Sequence, residues 1–270
     1  MKLVALLAWF DERPDMLRDT IASLPLASVD HLIAVDGAYA AFPNPKAASP
    51  RSQRTAILNA AEKAGIGCTL HVPSEVWAEN ELGKRRFMFQ LAETVTGPDD
   101  WYFVIDADEV VLTAPGDLED RLEATDRDVA QCVLLDTPAG NVIHGMVGED
   151  DGENMPMVVD GRFTNHLPML FRAIRGLSVA WAHNQYVTPD DRYLWAGTLD
   201  QRPEVALRFP TFHVDHRFNR SHERRTAATS YYYTRETTGI ERQPKSDRPL
   251  KWPPGRFTPN LPAPLGALSE

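Results

Sequence analysis

The chain has 270 residues, which is enough for one large α/β domain with a C-terminal extension. Hydrophobic residues make up 43% of the chain and charged residues 24%, a composition typical of globular proteins. The formal net charge of -10 argues against general nucleic-acid binding, which requires a basic surface, although a few local cations could still bind a small anion.

Three features predict a cytoplasmic location. Cys68 and Cys132 lie far apart in apolar runs, so we expect two free, buried thiols, as is common in a reducing compartment. The apolar run at the N-terminus spans only about eight residues before the first acids and lacks the cleavage site of a signal peptide. No stretch approaches the roughly 20 apolar residues of a membrane span.

The first 130 residues alternate between short apolar runs and segments with helical periodicity. This pattern predicts βαβ units, that is, a Rossmann-like, mostly parallel sheet flanked by helices. The predicted strands are 2–10, 31–37, 67–72 and 101–108, and the predicted helices are 14–24, 52–64 and 80–96.

After residue 129 the alternation weakens. Apolar segments at 130–139, 169–174, 177–187 and 205–216 predict further strands, some of them antiparallel, in a smaller mixed part of the fold. We expect segment 145–161, which is acidic and rich in Gly and Met, to form a long loop over a site. Residues 221–236 are typical of a helix, and the Pro-rich end of the chain cannot form a regular helix.

Acidic residues follow three of the predicted strands. Asp11 and Glu12 follow the first strand, Asp36 the second, and Asp106 and Asp108 the fourth. Ligands of open α/β sheets bind beyond the carboxyl ends of the strands. We therefore expect one polar site at this edge of the sheet.

Asp106-Ala107-Asp108 carries the clearest chemistry. Two carboxylates separated by one residue can hold Mn²⁺ or Mg²⁺, because hard divalent cations prefer oxygen ligands. Such a metal can act as the Lewis acid for a departing diphosphate. The alternative is an ordinary loop with solvated acids.

These motifs, in this order, resemble the inverting glycosyltransferases of family 2, which have the nucleotide-sugar-binding GT-A fold. The resemblance covers residues 2–112 well and 168–236 more loosely, and Asp11-Glu12 stands where the family has Asn-Glu. It implies that Asp36 reads the nucleobase, that Asp106 lies near the ribose and the metal, and that Asp108 of this DXD motif is a metal ligand. Without the resemblance, Asp36 is equally typical of a turn before Gly37.

The segment ENELGKRRFMFQLA resembles the Gly-x-x-Arg helix of the family. The resemblance implies a cation near the nucleotide, for which Lys84 and Arg85 are the candidates. The alternative interpretation is a solvated start of a helix.

Two histidines near the end of the last predicted strand are candidates for a third metal ligand, which the family often takes from this part of the chain. His213 is the first choice and His216 the second, because neutral imidazole is a common ligand of Mn-like metals. A structural role for each histidine is the alternative. Four nearby arginines could face a diphosphate or form a solvated basic helix: Arg217, Arg220, Arg224 and Arg225.

Inverting transfer needs a general base to deprotonate the acceptor hydroxyl. The segment PMLFRAIRGLSVAWAHNQYVTPDD resembles the stretch before the acceptor site, but Asn184 follows His183 where some members have Glu. We expect Asp191 to be the base. The alternatives are His183 and Asp190, followed by Asp150 and Asp151 in the predicted loop.

The sequence thus predicts a GT-A-like catalytic domain at 1–240, with a nucleotide-binding half (1–128) and an acceptor-side half (129–240), and a tail at 241–270. The expected activity is metal-dependent transfer of a sugar, with inversion, from a UDP- or GDP-linked donor to a hydroxyl of a glycan, small molecule or protein. One alternative is a sugar-phosphate nucleotidyltransferase, although the turn AWFDERPD lacks the glycines of a phosphate loop. The other alternative is a catalytically inactive nucleotide-sugar-binding module.

Overall fold

A computed structural model describes residues 1–40, 42, 44–78, 81–137, 157–159, 162–179, 185–196 and 206–217. The helices are α1 (Pro14–Ser23), α2 (Arg51–Ala64), α3 (Glu81–Ala92) and α4 (Leu118–Ala124), with a 3-10 turn at Leu24–Ala27. The first six strands are β1 (Leu3–Ala8), β2 (His31–Val35), β3 (Gly67–His71), β4 (Trp101–Asp106), β5 (Glu109–Thr113) and β6 (Val129–Thr137). The others are β7 (Met157–Val159), β8 (Arg162–Arg172), β9 (Ser178–Val179), β10 (Gln185–Val187), β11 (Tyr193–Ala196) and β12 (Leu207–Arg217).

The predicted α/β architecture of the first half is confirmed. Strands β1 to β4 and helices α1 to α3 fall within the predicted segments, with α2 beginning one residue earlier than expected. Pro14 occupies the first position of α1, where its missing N–H costs nothing. Gly65 ends α2 in the left-handed conformation that glycine adopts at no steric cost.

The main sheet has the strand order β3-β2-β1-β4-β8-β6-β12-β5, and β7 pairs with β8. Strands β1 to β4 are parallel, and so are β6 and β12. Only β8 and β5 run in the opposite direction along this path. The sheet is therefore mostly parallel, with the expected antiparallel pairs in the second half of the chain.

The connection between β4 and β5 requires this sheet to curl. Only Ala107 and Asp108 separate the two strands, so the Cα atoms of Asp106 and Glu109 lie at most about 11 Å apart. In the sheet, however, β5 lies four strand positions from β4, which is roughly 19 Å in a flat sheet. The far edge of the sheet must therefore bend back towards the end of β4.

The hydrophobic core fills both faces of the curled sheet. Leu3, Ala5 and Leu7 of β1 face a cluster that includes α1, α2 and α4 and also residues of β5, β6 and β12. Val4 and Leu6 face a second cluster that includes α3 and β8. Burial on both faces explains why β1 is a continuous apolar run rather than an alternating one.

The structure corrects several sequence-based boundaries. It adds β5, α4 and β11, and β7 occupies part of segment 145–161, which was predicted to be entirely loop. Segment 177–187 contains two short strands, β9 and β10, instead of one; with β11 they form a separate three-stranded sheet. The predicted helix at 221–236 and the tail at 241–270 lie outside the described residues.

Both cysteines are free, as predicted. Cys132 is buried as expected, whereas Cys68 is only partly buried. Burial raises the pKa of the Cys68 thiol to about 11, so this side chain stays protonated near neutral pH. Among the residues that the structure describes, no helix is long and apolar enough to cross a membrane.

We expect Gly37→Ala to destabilise the fold more than Gly65→Ala. Both glycines have positive φ, which costs an alanine about 1–2 kcal/mol. A Cβ at Gly37 would also lie 2.6 Å from the carbonyl oxygen of Ala47, whereas one at Gly65 meets nothing within 4 Å. The clash should add about 1–3 kcal/mol, measurable by urea unfolding. Equal losses in the two variants would contradict the packing described around Gly37.

Candidate active site at the carboxyl edge of the sheet

The turn between β4 and β5 directs its two aspartates differently. The side chain of Asp106 is 44% exposed, whereas that of Asp108 is 2% exposed. Two hydrogen bonds hold the backbone between them: Glu109 Oε2 accepts from the Asp106 N–H at 2.8 Å, and Thr20 Oγ1 donates to the Ala107 carbonyl at 3.0 Å. The turn therefore places one carboxylate at the surface and one inside the protein.

A histidine of β12 contacts the buried carboxylate. His216 Nε2 lies 3.2 Å from Asp108 Oδ2, and its side chain is 22% exposed. The register pairs His216 with Glu109, the residue after Asp108, so the β5–β12 pairing brings the imidazole to the turn. His213 pairs with Thr113 instead. His216, the second choice from the sequence, thus lies beside Asp108, and a metal-ligand role for either histidine stays a prediction.

Acidic side chains are concentrated in this turn. Burial, together with the nearby Asp106 carboxylate, raises the pKa of Glu109 to about 8 against the opposing effect of His216, so this carboxyl is largely protonated near neutral pH. The exposed carboxylate has a cationic neighbour, since Arg85 Nη2 lies 3.3 Å from Asp106 Oδ1. The site therefore combines acidic oxygens, an imidazole and a guanidinium within one short stretch of the sheet edge.

The donor set fits Mn²⁺ or Mg²⁺ in its chemistry, because it offers carboxylate oxygens and an imidazole nitrogen. Within the described part of the chain, no three His, Cys, Asp or Glu side chains are grouped closely enough to hold a metal by themselves. Ions that bind together with substrate phosphates typically take only one or two carboxylates from the protein. Asp106, Asp108 and His216 are thus the residues of the turn that could hold a metal of that kind.

Asp36 is fully buried and anchors the loop that follows β2. Its Oδ1 accepts from the Gly37 N–H at 2.7 Å and from Ser49 Oγ at 2.5 Å, and its Oδ2 accepts from the Ser49 N–H at 2.9 Å. This geometry favours the turn-forming interpretation. Contact between this carboxylate and a nucleobase would require the Ser49 network to open.

The turn after β1 is joined to the start of α2. The Asp11 N–H donates to Ser49 Oγ at 2.9 Å, and the Glu12 N–H donates to Gln53 Oε1 at 3.2 Å. Glu12 is buried, whereas Asp11 is exposed and adopts a positive φ of 50°. Of this pair, therefore, Asp11 presents its carboxylate at the sheet edge.

Lys84 and Arg85 are both buried, so the solvated-helix alternative is wrong. The Lys84 side chain, 1% exposed, donates from Nζ to the carbonyls of Trp9 at 2.5 Å and Gly37 at 2.9 Å. Lys84 thus ties together the carboxyl ends of β1 and β2. Arg85 is the cation that the structure brings to the acidic turn.

The structure does not bring Asp191 to the acidic turn. Asp191 lies in the turn between β10 and β11, and the adjacent Arg192 bonds Asp128 Oδ2 at 2.7 Å. Asp128 also pairs with Arg172, which lies opposite Trp101, the first residue of β4. Asp191 is therefore near the amino end of β4. Asp106 lies at the carboxyl end of the same strand, which is roughly 16 Å long. Asp190 shares the turn with Asp191.

The remaining sequence-predicted residues fall outside the described part of the chain or lack a described side chain. Arg217 ends β12, and its side chain is not described. The other candidates lie outside the described residues: His183, Asp150, Asp151, Arg220, Arg224 and Arg225. Sequence analysis missed Thr20, Ser49 and Gln53, because a single sequence gives no signal for pairs of distant polar residues.

Comparison with known proteins does not assign the chain to a family. No family model and no curated protein matches it. One similar solved structure is a putative glucose-1-phosphate thymidylyltransferase from Bacillus anthracis in complex with a sucrose. The match has a TM-score of 0.32 and 14% sequence identity, and it covers 50% of this chain and 55% of that chain. A similarity of this size supports no conclusion about fold or activity.

We expect Asp36 and Asp106 to differ in their contributions to stability. Asp36→Asn replaces an acceptor oxygen with an amide group that faces N–H and O–H donors, so it should lower the free energy of unfolding by about 1–3 kcal/mol. Asp106→Asn changes a half-exposed carboxylate and should cost less than about 1 kcal/mol. Urea unfolding of the two variants measures the contrast. Combining Asp36→Asn with Ser49→Ala should be strongly non-additive, and independent effects would contradict the network.

Proposed function

We propose that the protein is a metal-dependent glycosyltransferase that transfers a sugar from a UDP- or GDP-linked donor to an acceptor hydroxyl with inversion. The observation that supports this proposal most directly is the contact between Asp108 and His216 beside the half-exposed Asp106. An oxygen ligand and an imidazole at the carboxyl end of a central parallel strand suit a metal–diphosphate complex. The proposed fold is GT-A and the proposed relationship is to glycosyltransferase family 2.

Each residue of the turn has a proposed role. Asp108 and His216 would hold the divalent cation, which would supply Lewis-acid stabilisation of the diphosphate leaving group. Asp106, which is half-exposed, would bind the same cation or a ribose hydroxyl. Arg85, which bonds Asp106, would contribute positive charge beside the phosphates of the donor.

The nucleotide would lie along the carboxyl ends of β1, β2 and β4. Asp11 is the exposed acid at the end of β1 and is proposed to contact the donor. Glu12, Asp36 and Lys84 are proposed to shape this surface from beneath, because all three are buried and Asp36 and Lys84 bond neighbouring backbone groups.

The acceptor hydroxyl would enter on the side of the second half of the chain, where a base must accept its proton. Asp191 lies near the opposite end of β4, so His183 becomes the first candidate among the sequence-predicted bases. The acceptor would be a glycan, a small molecule or a protein.

The two histidines of β12 give a matched test of the proposal. We expect wild-type protein with Mn²⁺ to release UDP or GDP from one member of a nucleotide-sugar panel. His216→Ala and Asp108→Ala should each lower kcat/KM by about 10–100-fold or more. His213→Ala, three residues away on the same strand, should stay within about twofold of wild type.

Other outcomes would separate the alternatives. Pyrophosphate formation from a nucleoside triphosphate and a sugar phosphate would identify a nucleotidyltransferase. Thermal stabilisation by a nucleotide sugar without turnover would identify a binding module. If no nucleoside diphosphate stabilises the protein in the presence of Mn²⁺, the proposed donor site is wrong.

A further inference from the structure

Helix α1 contacts the acidic turn from inside the curled sheet. Thr20, which is buried in this helix, donates from Oγ1 to the carbonyl of Ala107 at 3.0 Å. Ala107 is the residue between the two aspartates and is itself buried. The hydroxyl therefore reaches, across 87 residues of sequence, the carbonyl of the residue between the two aspartates.

This bond constrains the part of the backbone that sets the direction of Asp108. A carbonyl group and the following N–H belong to one rigid peptide plane, so fixing the Ala107 oxygen fixes the plane that leads into Asp108. A buried carbonyl without a donor also carries a desolvation cost, which favours any rearrangement that exposes it. In this turn such a rearrangement would move Asp108 away from His216.

Two other contacts hold the turn on either side of this peptide. Glu109 holds the N–H of Asp106, on the strand side, and His216 contacts the Asp108 side chain. Together with the Thr20 bond, these contacts hold the turn at three points.

We propose that Thr20 is a positioning residue, which orients Asp108 and its contact with His216 for binding a divalent cation together with a nucleoside diphosphate. This inference rests on the proposed function for its ligand. Thr20 touches neither the ligand nor the reacting atoms, and it acts through the peptide between Ala107 and Asp108.

A neighbouring hydroxyl of the same helix provides the control. Ser23 Oγ accepts from the Val111 N–H at 3.0 Å and donates to the Thr20 carbonyl at 2.7 Å. Ser23 is also buried, but it joins α1 to Val111 in β5, beyond the turn. Ser23→Ala therefore removes a comparable buried hydrogen bond without releasing Ala107.

The experiment compares Thr20→Val, Thr20→Ser and Ser23→Ala well below their unfolding temperatures. Thr20→Val keeps the shape of the side chain and removes the hydroxyl, whereas Thr20→Ser keeps the hydroxyl and removes the methyl group. Two quantities are measured. The first is the affinity for Mn²⁺ in the presence of UDP or GDP, determined from the EPR signal of free Mn²⁺. The second is the pair kcat and KM for nucleotide-sugar hydrolysis.

We expect Thr20→Val to weaken Mn²⁺ binding and lower kcat/KM by about tenfold, a loss typical of removing a residue that orients a metal ligand. Thr20→Ser and Ser23→Ala should stay within about twofold of wild type, although Ser23→Ala should lose as much thermal stability as Thr20→Val. If Thr20→Val lowers only the unfolding temperature, Thr20 is merely structural and the inference is wrong.

The two proposals fail in different ways. In one outcome, the wild type transfers or hydrolyses no nucleotide sugar, while Thr20→Val, and not Ser23→Ala, weakens the binding of Mn²⁺ with nucleotide. That result would refute the activity and support the positioning role. An active wild type, with unchanged Mn²⁺ binding and kcat/KM in Thr20→Val, would support the activity and refute the positioning role. A wild type that neither binds Mn²⁺ with nucleotide nor turns over would overturn both.

Discussion

The two-residue connection between β4 and β5 constrains the rest of the structure. It joins a strand in the middle of the sheet to the strand at its far edge, over a distance that a flat sheet could not span. The sheet must therefore curl, and the concave face is filled by apolar residues of α1 packed against β4, β6 and β12. The same connection is the acidic turn, so the curvature of the fold and the geometry of the candidate site have one origin.

The contact between Asp108 and His216 is a consequence of that curl. Strand β5 leaves the turn and pairs with β12, which places His216 opposite Glu109 and next to Asp108. Without the curl, the imidazole and the carboxylate would belong to strands about three positions apart in the sheet. Residues separated by 108 positions in sequence thus meet because of strand order.

Polar residues at the carboxyl edge divide into two groups. Asp36 and Lys84 are buried, and their hydrogen bonds hold backbone groups at the ends of β1 and β2. Asp11 is exposed, and Asp106 is half-exposed and pairs with Arg85. A buried ionised group needs such partners, since desolvation without compensation would cost several kcal/mol. We infer that the first group provides a rigid base on which the second is presented.

The sequence by itself determined the alternation of strands and helices in the first half, because apolar periodicity and the flanking Pro14 and Gly65 are local signals. It also located the acids at one sheet edge, since parallel strands carry their ends to the same side. Only the tertiary structure decided which of them are buried, which histidine reaches Asp108, and that Asp191 lies near the amino end of β4. These outcomes depend on strand order, register and curvature, which arise from contacts between residues far apart in the chain and leave no local pattern in a single sequence.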